Sequence, residues 1–324
     1  MITYLAGRIF QAALTIAVMS LLVFTGVFML GDPVAVLISP EATQEDIARL
    51  RTDLGLDLPF HQQYLRFVSA ALAGDLGESF AYRVPAIELV LERFPATLEL
   101  AATGIVLSVL LGVPLGLYAG LKNGTAGSRL IMTLSTVGFS IPIFWVALVM
   151  IYVFAIWFGI LPPSGRGDTR ELFGIEFSFL TLDGWRYLAL PALTLGIFNV
   201  SLIIRLTYAG TREVIDQDFI RFARAKGLRP RRIIGVHVLR NILILLVTVV
   251  GLEFGGLLAF AVVTETIFAW PGAGRLLLES IWVLDRPVIV AYLILTVTLF
   301  VIINLTVDLL YVVLDPRVRL GGAT

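Results

Sequence analysis

Between Ile9 and Leu30 the chain runs 22 residues without a charged side chain. As α-helix at 1.5 Å per residue this is about 33 Å, enough to cross the hydrocarbon core of a bilayer. Comparable apolar runs lie at about 95–121, 130–158, 188–204, 242–264 and 288–314. Only 15% of the 324 residues are charged and 58% are aliphatic or aromatic, against roughly 25% charged in soluble domains. The expectation is therefore an all-α membrane protein with six transmembrane helices and a single transmembrane domain over 1–324. The first run is long for the apolar core of a cleaved signal, and it reads as a retained span that also serves for export. In the third, Pro142 with Trp145 and Trp157 predicts a kinked or tilted helix with an aromatic anchor at its end.

The segments between the runs differ in charge. An outer loop over 31–94 carries ten acidic and five basic residues. Its apolar positions (Ile47, Leu50, Leu54, Phe60, Tyr64, Phe67, Val68) are spaced for short helices that lie against the membrane domain. The link 122–129, the 205–241 segment and the Arg317/Arg319 tail are basic, whereas the alternate loops are acidic or balanced. The excess of Lys and Arg on cytoplasmic loops then places both termini in the cytoplasm and 31–94 outside.

Several chemistries are excluded by what the chain lacks. It has no cysteine, and its two histidines, His61 and His237, lie outside the apolar runs, so no thiolate site, histidine metal cluster or intramembrane enzyme centre is expected. Its two lysines follow Leu121 and Ala225, and a Walker A loop needs Gly-Lys. The chain cannot itself carry that nucleotide loop. The zero net charge is sorted by segment and does not point to nucleic acid.

The most distinctive polar stretch is 205–241. Nine bases stand there against three acids, Glu213, Asp216 and Asp218. The spacing predicts a helix from Thr211 to Ala225 with Ile215, Phe219, Phe222 and Ala223 on one face. Gly227 should stop it, and Pro230 suits the first turn of a second helix through Ile233, Ile234 and Val238 into the fifth span. One reading is a basic loop resting on anionic headgroups; the other is a rigid helix–Gly–helix protrusion that serves as a mechanical joint.

The pattern ARAKGLRPRRIIGVHVLRN (223–241) resembles the EAA loop of ABC-importer permeases, in the form found in dipeptide, oligopeptide and nickel systems. YLAGRIFQAALTI, LGLDLPFHQQYLRF, GDLGESF, ERFPATLELA, GFSIPIFW, ETIFAWPGAGRL and DLLYVVLDPRVR follow the same family in order along nearly the whole chain. The resemblance implies the type I importer permease fold in a bacterial inner membrane. It implies a coupling helix at Ala223, Arg224, Ala225, Lys226, Gly227, Leu228 and Arg229, docked on a cytoplasmic ATPase. It also implies a second, similar permease, two ATPases that bind ATP and Mg, and an extracytoplasmic solute-binding protein. Arg221 and Phe222 depart from the Glu and first Ala of the general pattern, and Leu245 stands where a Pro is frequent. In the family, Phe268 to Leu278 would re-enter the membrane as a short scoop near the solute entrance; a turn anchored by Trp270 at headgroup level is the alternative.

Polar residues within spans are costly, so Asn199, Glu253, Asn304 and Asp308 need an account. Asn199 and Glu253 are candidates for a solute path; packing against neighbouring helices is the other reading, and the glycines at 251, 255 and 256 suit either. A stand-alone secondary transporter or channel with a lipid-anchoring loop is the alternative function.

Overall fold

The structure is a computed structural model and describes residues 2–29, 34, 38 and 41–314. Part of the outer loop's first stretch and the Arg317/Arg319 tail lie outside the described residues. Contacts divide the chain into two compact units, Met1–Thr97 with Pro271–Val301 and Leu98–Trp270 with Ile302–Thr324.

The first unit contains α1 (Ile2–Met29), α2 (Gln44–Asp53), α3 (Phe60–Leu72), the start of α4 (Ala86–Leu121), α10 (Ala273–Trp282) and the first part of α11 (Arg286–Leu314). The outer-loop helices form as the spacing predicts, and α3 lies against α1. The Phe24 ring meets Phe60, Tyr64 and Phe67 at centroid distances of 5.5, 5.6 and 5.3 Å, and Ser20 and Tyr64 share a hydrogen bond of 2.9 Å. A reciprocal Thr43–Asp46 capping box starts α2. Hydrogen bonds from the Thr43 hydroxyl and then its backbone N–H hold the Asp46 carboxyl below the usual aspartate range. Asp285, fully buried, accepts from the Ser79 hydroxyl and from the backbone N–H groups of Phe80 and Ala81, which fastens the 77–82 turn to the α10–α11 turn.

The second unit is built around α7 (Leu182–Ile215), on which α5 (Ala126–Ser140), α6 (Ile143–Met150) and α9 (Leu239–Ile267) pack. Of the apolar window of α7, 61% is buried, against 28% for that of α9. Helix α4 meets α7 along small residues. A Cβ at Gly112 would lie 2.7 Å from Ile203, at Gly116 2.6 Å from Thr207, and at Gly120 2.7 Å from Thr211. Backbones this close require glycine, the device by which helices pack where lipid supplies no hydrophobic drive.

Among the described residues, five helices are long and apolar enough to span a membrane, or six if one bent pair counts as a span. That pair corrects an expectation. The 130–158 run is not one kinked or tilted helix: α5 and the helix beginning at Ile143 are bent by 110°. Pro142 disfavours helical backbone at Ile141, which is extended at φ −85°, ψ 133°. Beyond Met150 the helix widens into a π-helical stretch, Ile151–Trp157. The fourth span is also longer than 188–204, because α7 continues to Ile215 and takes in the first residues of the basic segment. The polar 159–187 loop holds an antiparallel hairpin, β1 (Arg170–Leu172) and β2 (Ile175–Phe177), paired Arg170 to Phe177.

Candidate functional site

The basic segment folds into a locked protrusion. After α7 ends at Ile215, Gln217 is extended and caps α8 (Asp218–Ala225). At its other end the Gly227 N–H donates to the Arg224 carbonyl at 2.9 Å and the Leu228 N–H to the Ala223 carbonyl at 3.2 Å. This is a Schellman cap, and Gly227 at φ +71° supplies the left-handed residue it needs. Arg229 then caps a turn with Pro230 at its first position, which continues through a π-helical stretch, Ile233–Val238, into α9. The expected stop and restart are both present.

The expected helix over Thr211–Ala225 is corrected, as is its apolar face. The break at Asp216–Gln217 separates Ile215 from α8 and resets the helical phase. Ile220 and Ala223, with Ile233 and Val238, form a buried cluster joined by Leu117, Val214, Ile215 and Leu228. Phe219 and Phe222 point outward, 43% and 60% exposed, and the Lys226 ammonium lies 4.4 Å from the Phe222 ring centroid. Of the seven tip residues, Ala223 is buried and Leu228 half-buried, whereas Arg224, Ala225, Lys226, Gly227 and Arg229 are exposed. Ile220 was not singled out by its spacing; its i,i+3 relation to Ala223 is the signal that marks it.

The two candidate path residues come together. Asn199 on α7 and Glu253 on α9 line one cavity of 320 Å³ beside the Ser140–Ile143 break. Asn199 is 2% exposed and its Oδ1 has no hydrogen-bond partner. Phe139 and Phe198 stack at its edge with centroids 4.3 Å apart. The neighbouring glycines divide the two readings between them: Gly251 packs on Val307, whereas a Cβ at Gly256 would meet nothing within 4 Å. Asn304 and Asp308 are not among the residues lining this cavity.

A third constellation joins residues far apart in sequence. Glu99, wholly buried, accepts from the backbone N–H groups of Ser178 (2.6 Å) and Phe179 (2.8 Å) and from Arg166 Nη2 (2.9 Å). The Arg166 guanidinium also lies 5.6 Å from the Trp270 ring centroid. Trp270 is fully buried, and beside it the Gly165 N–H donates to the Phe268 carbonyl at 2.8 Å. The expected short helix after it begins at Ala273 rather than Phe268. Among the described residues, no group of His, Asp and Glu could hold a metal ion.

Two family models match, that of the binding-protein-dependent transport system inner membrane component over residues 112–320 and its amino-terminal counterpart over 1–101. The chain is similar to the dipeptide transport system permease protein DppB of Escherichia coli K12, 37% identical over 340 residues and covering 98% of this chain and 99% of that one. To the di/tripeptide permease DppB of Pseudomonas aeruginosa it is 39% identical over 339 residues, with 98% and 99% covered. To the glutathione permease GsiC of Salmonella paratyphi A it is 37% identical over 320 residues, again with 98% and 99% covered. In fold it is similar to the inward-facing MetNI methionine ABC transporter, at a TM-score of 0.53 and 17% identity over 70% of this chain and 96% of that one.

Proposed function

Because the chain belongs to the family of binding-protein-dependent transport system inner membrane components, multi-pass proteins of the bacterial inner membrane, we propose that it is the transmembrane subunit of an ATP-driven importer of peptides. The relatives named for dipeptides, di/tripeptides and glutathione support that solute class. In this reading six spans cross the membrane with both termini in the cytoplasm, the bent α5–α6 pair counting as one. The chain pairs with a second permease and two ATPases and receives solute from an extracytoplasmic binding protein. It makes and breaks no bonds itself; ATP and Mg belong to the ATPases.

The observation that carries the reading is the 205–241 protrusion. Its inner face is fixed by the Ile220 cluster and its end by the Gly227 cap, so a push on α8 is transmitted to α7 and α9 rather than absorbed by a soft loop. Its outer face offers Phe219, Phe222, Lys226 and the Arg224 and Arg229 guanidinium groups, aromatic and cationic anchors suited to an acidic-rimmed groove. ATP-driven closure of the ATPases would then move α7 and α9, whose facing side chains Asn199 and Glu253 line the path. This is alternating access driven through a joint.

Gly227→Pro tests the assignment. Proline holds φ near −65°, against the observed +71°, and removes the N–H that donates to Arg224. In the reconstituted complex, solute-stimulated ATP hydrolysis and import are expected to be lost while membrane insertion persists. Undiminished stimulation would sink the coupling role.

A further inference from the structure

The cavity between the α5–α6 break, α7 and α9 is apolar apart from three side chains, Ser140, Asn199 and Glu253. Ser140 donates its proton to the Thr136 carbonyl of its own helix at 2.9 Å. Asn199 Oδ1 is buried and unpartnered, and no hydrogen bond or ion pair involves Glu253 among the described residues. The wall therefore presents an acidic group and a carbonyl oxygen with no Lys, Arg or His among its lining residues; the Phe139 and Phe198 rings at its edge stack on each other, and the Arg205 guanidinium lies 5.1 Å from the Phe139 ring centroid.

Unpaired carboxyl groups inside a membrane protein are costly, and buried acceptors without donors are costly as well. Both costs are relieved by a compact cation with several N–H donors. We propose that this cavity binds the α-ammonium group of the transported peptide, with Glu253 and Asn199 as its acceptors. The inference rests on the peptide-permease reading above. At 320 Å³ the space lies at the small end of ligand pockets, about 300–1,000 Å³, and takes an amino-terminal residue rather than a whole oligopeptide. Recognition confined to the ammonium is indifferent to the side chains of the cargo, which suits a path that follows a selective binding protein.

The chain has no cysteine, so Gly256→Cys, whose Cβ projects into open space on the cavity wall, places a single reporter in this subunit. In the assembled transporter, with the complex lacking that cysteine as the blank, labelling of Gly256→Cys by a small maleimide is followed with dialanine or with N-propionylalanine, which lacks the ammonium. Dialanine is expected to slow labelling and N-propionylalanine is not. Adding Glu253→Gln should remove the protection. In proteoliposomes with the same binding protein throughout, Glu253→Gln should lower dialanine uptake on the order of tenfold, the worth of one charge-assisted hydrogen bond, and Glu253→Asp should restore part of it.

Equal protection by both compounds, or protection that survives Glu253→Gln, overturns the inference. So does absence of protection in a complex that imports dialanine normally. If Glu253→Gln does not assemble, Asn199→Ser on the facing wall replaces it, and undiminished protection there counts against the proposal. A wild-type complex that imports no peptide at all defeats the peptide reading instead, which separates the two failures.

Discussion

Ile220 and Phe222 stand two residues apart on α8 and face opposite ways. Ile220 has no exposed surface, whereas Phe222 keeps 60% of its own. Truncating Ile220 to alanine should cost about 2–5 kcal/mol, as removal of a buried aliphatic side chain does when the site cannot collapse. The loss should appear as faster proteolysis of the 205–241 segment. Phe222→Ala leaves that cluster untouched and should not change proteolysis, but it should weaken co-purification of the ATPase subunits on the order of tenfold, as removal of an interface anchor does. If both variants lower stability and neither changes association, the outer face of α8 is not the docking face. The cation–π contact of Lys226 with Phe222 at 4.4 Å presents the ring and the charge as one anchor.

At the scale of elements, the seam between α4 and α7 fixes where the helix that carries Asn199 stands. Small residues recur every fourth position along α4, at Gly104, Ser108, Gly112, Gly116 and Gly120. Ser108 ties the two helices directly by donating to the Gly196 carbonyl at 2.9 Å. A Cβ at Gly116 would sit 2.7 Å from the Ile204 carbonyl oxygen, a backbone atom that cannot rotate away. Gly116→Ala should therefore destabilise by about 1–3 kcal/mol, the cost of overpacking, and Gly116→Leu should prevent recovery of folded protein. Gly26→Ala on α1, where the new methyl group meets nothing within 4 Å, should leave the thermal midpoint of the detergent-solubilised complex unchanged or raised. Equal midpoints for Gly116→Ala and Gly26→Ala would remove the seam from the account. The i,i+4 recurrence was visible in the sequence, but its partner face on α7 was not, because Ile203, Thr207 and Thr211 carry no mark of what they touch.

Across the whole molecule, what could be read from the chain is what local chemistry or length decides. Apolar runs long enough to span need no partner to be recognised, and Gly227 with Pro230 announces a stop and a restart through backbone rules that act within a few residues. The rest depends on breaks and distant partners. The 110° bend at Ile141–Pro142 divides an apolar run in which Pro142 announces a kink but not its size, and the break at Asp216–Gln217 turns Phe219 and Phe222 outward. Glu99 is enclosed by Arg166, Ser178 and Phe179, partners 67, 79 and 80 residues on that its local sequence does not mark. Orientation is the remaining global property, and the proposed one rests on charge. The 205–241 protrusion carries nine bases, and translocating such a loop is opposed by the rule that retains Lys and Arg in the cytoplasm, whereas the 159–187 loop with its hairpin holds four acids against three bases. A cysteine in place of Phe173, 95% exposed at the hairpin tip, should react in intact cells, stripped of any outer membrane, with a maleimide that cannot cross the bilayer. Lys226→Cys should react only after the membrane is permeabilised. The opposite pattern would invert the topology and place α8 out of reach of any cytoplasmic ATPase, and labelling of both sites in intact cells would mean that the charge asymmetry does not set the orientation of this chain.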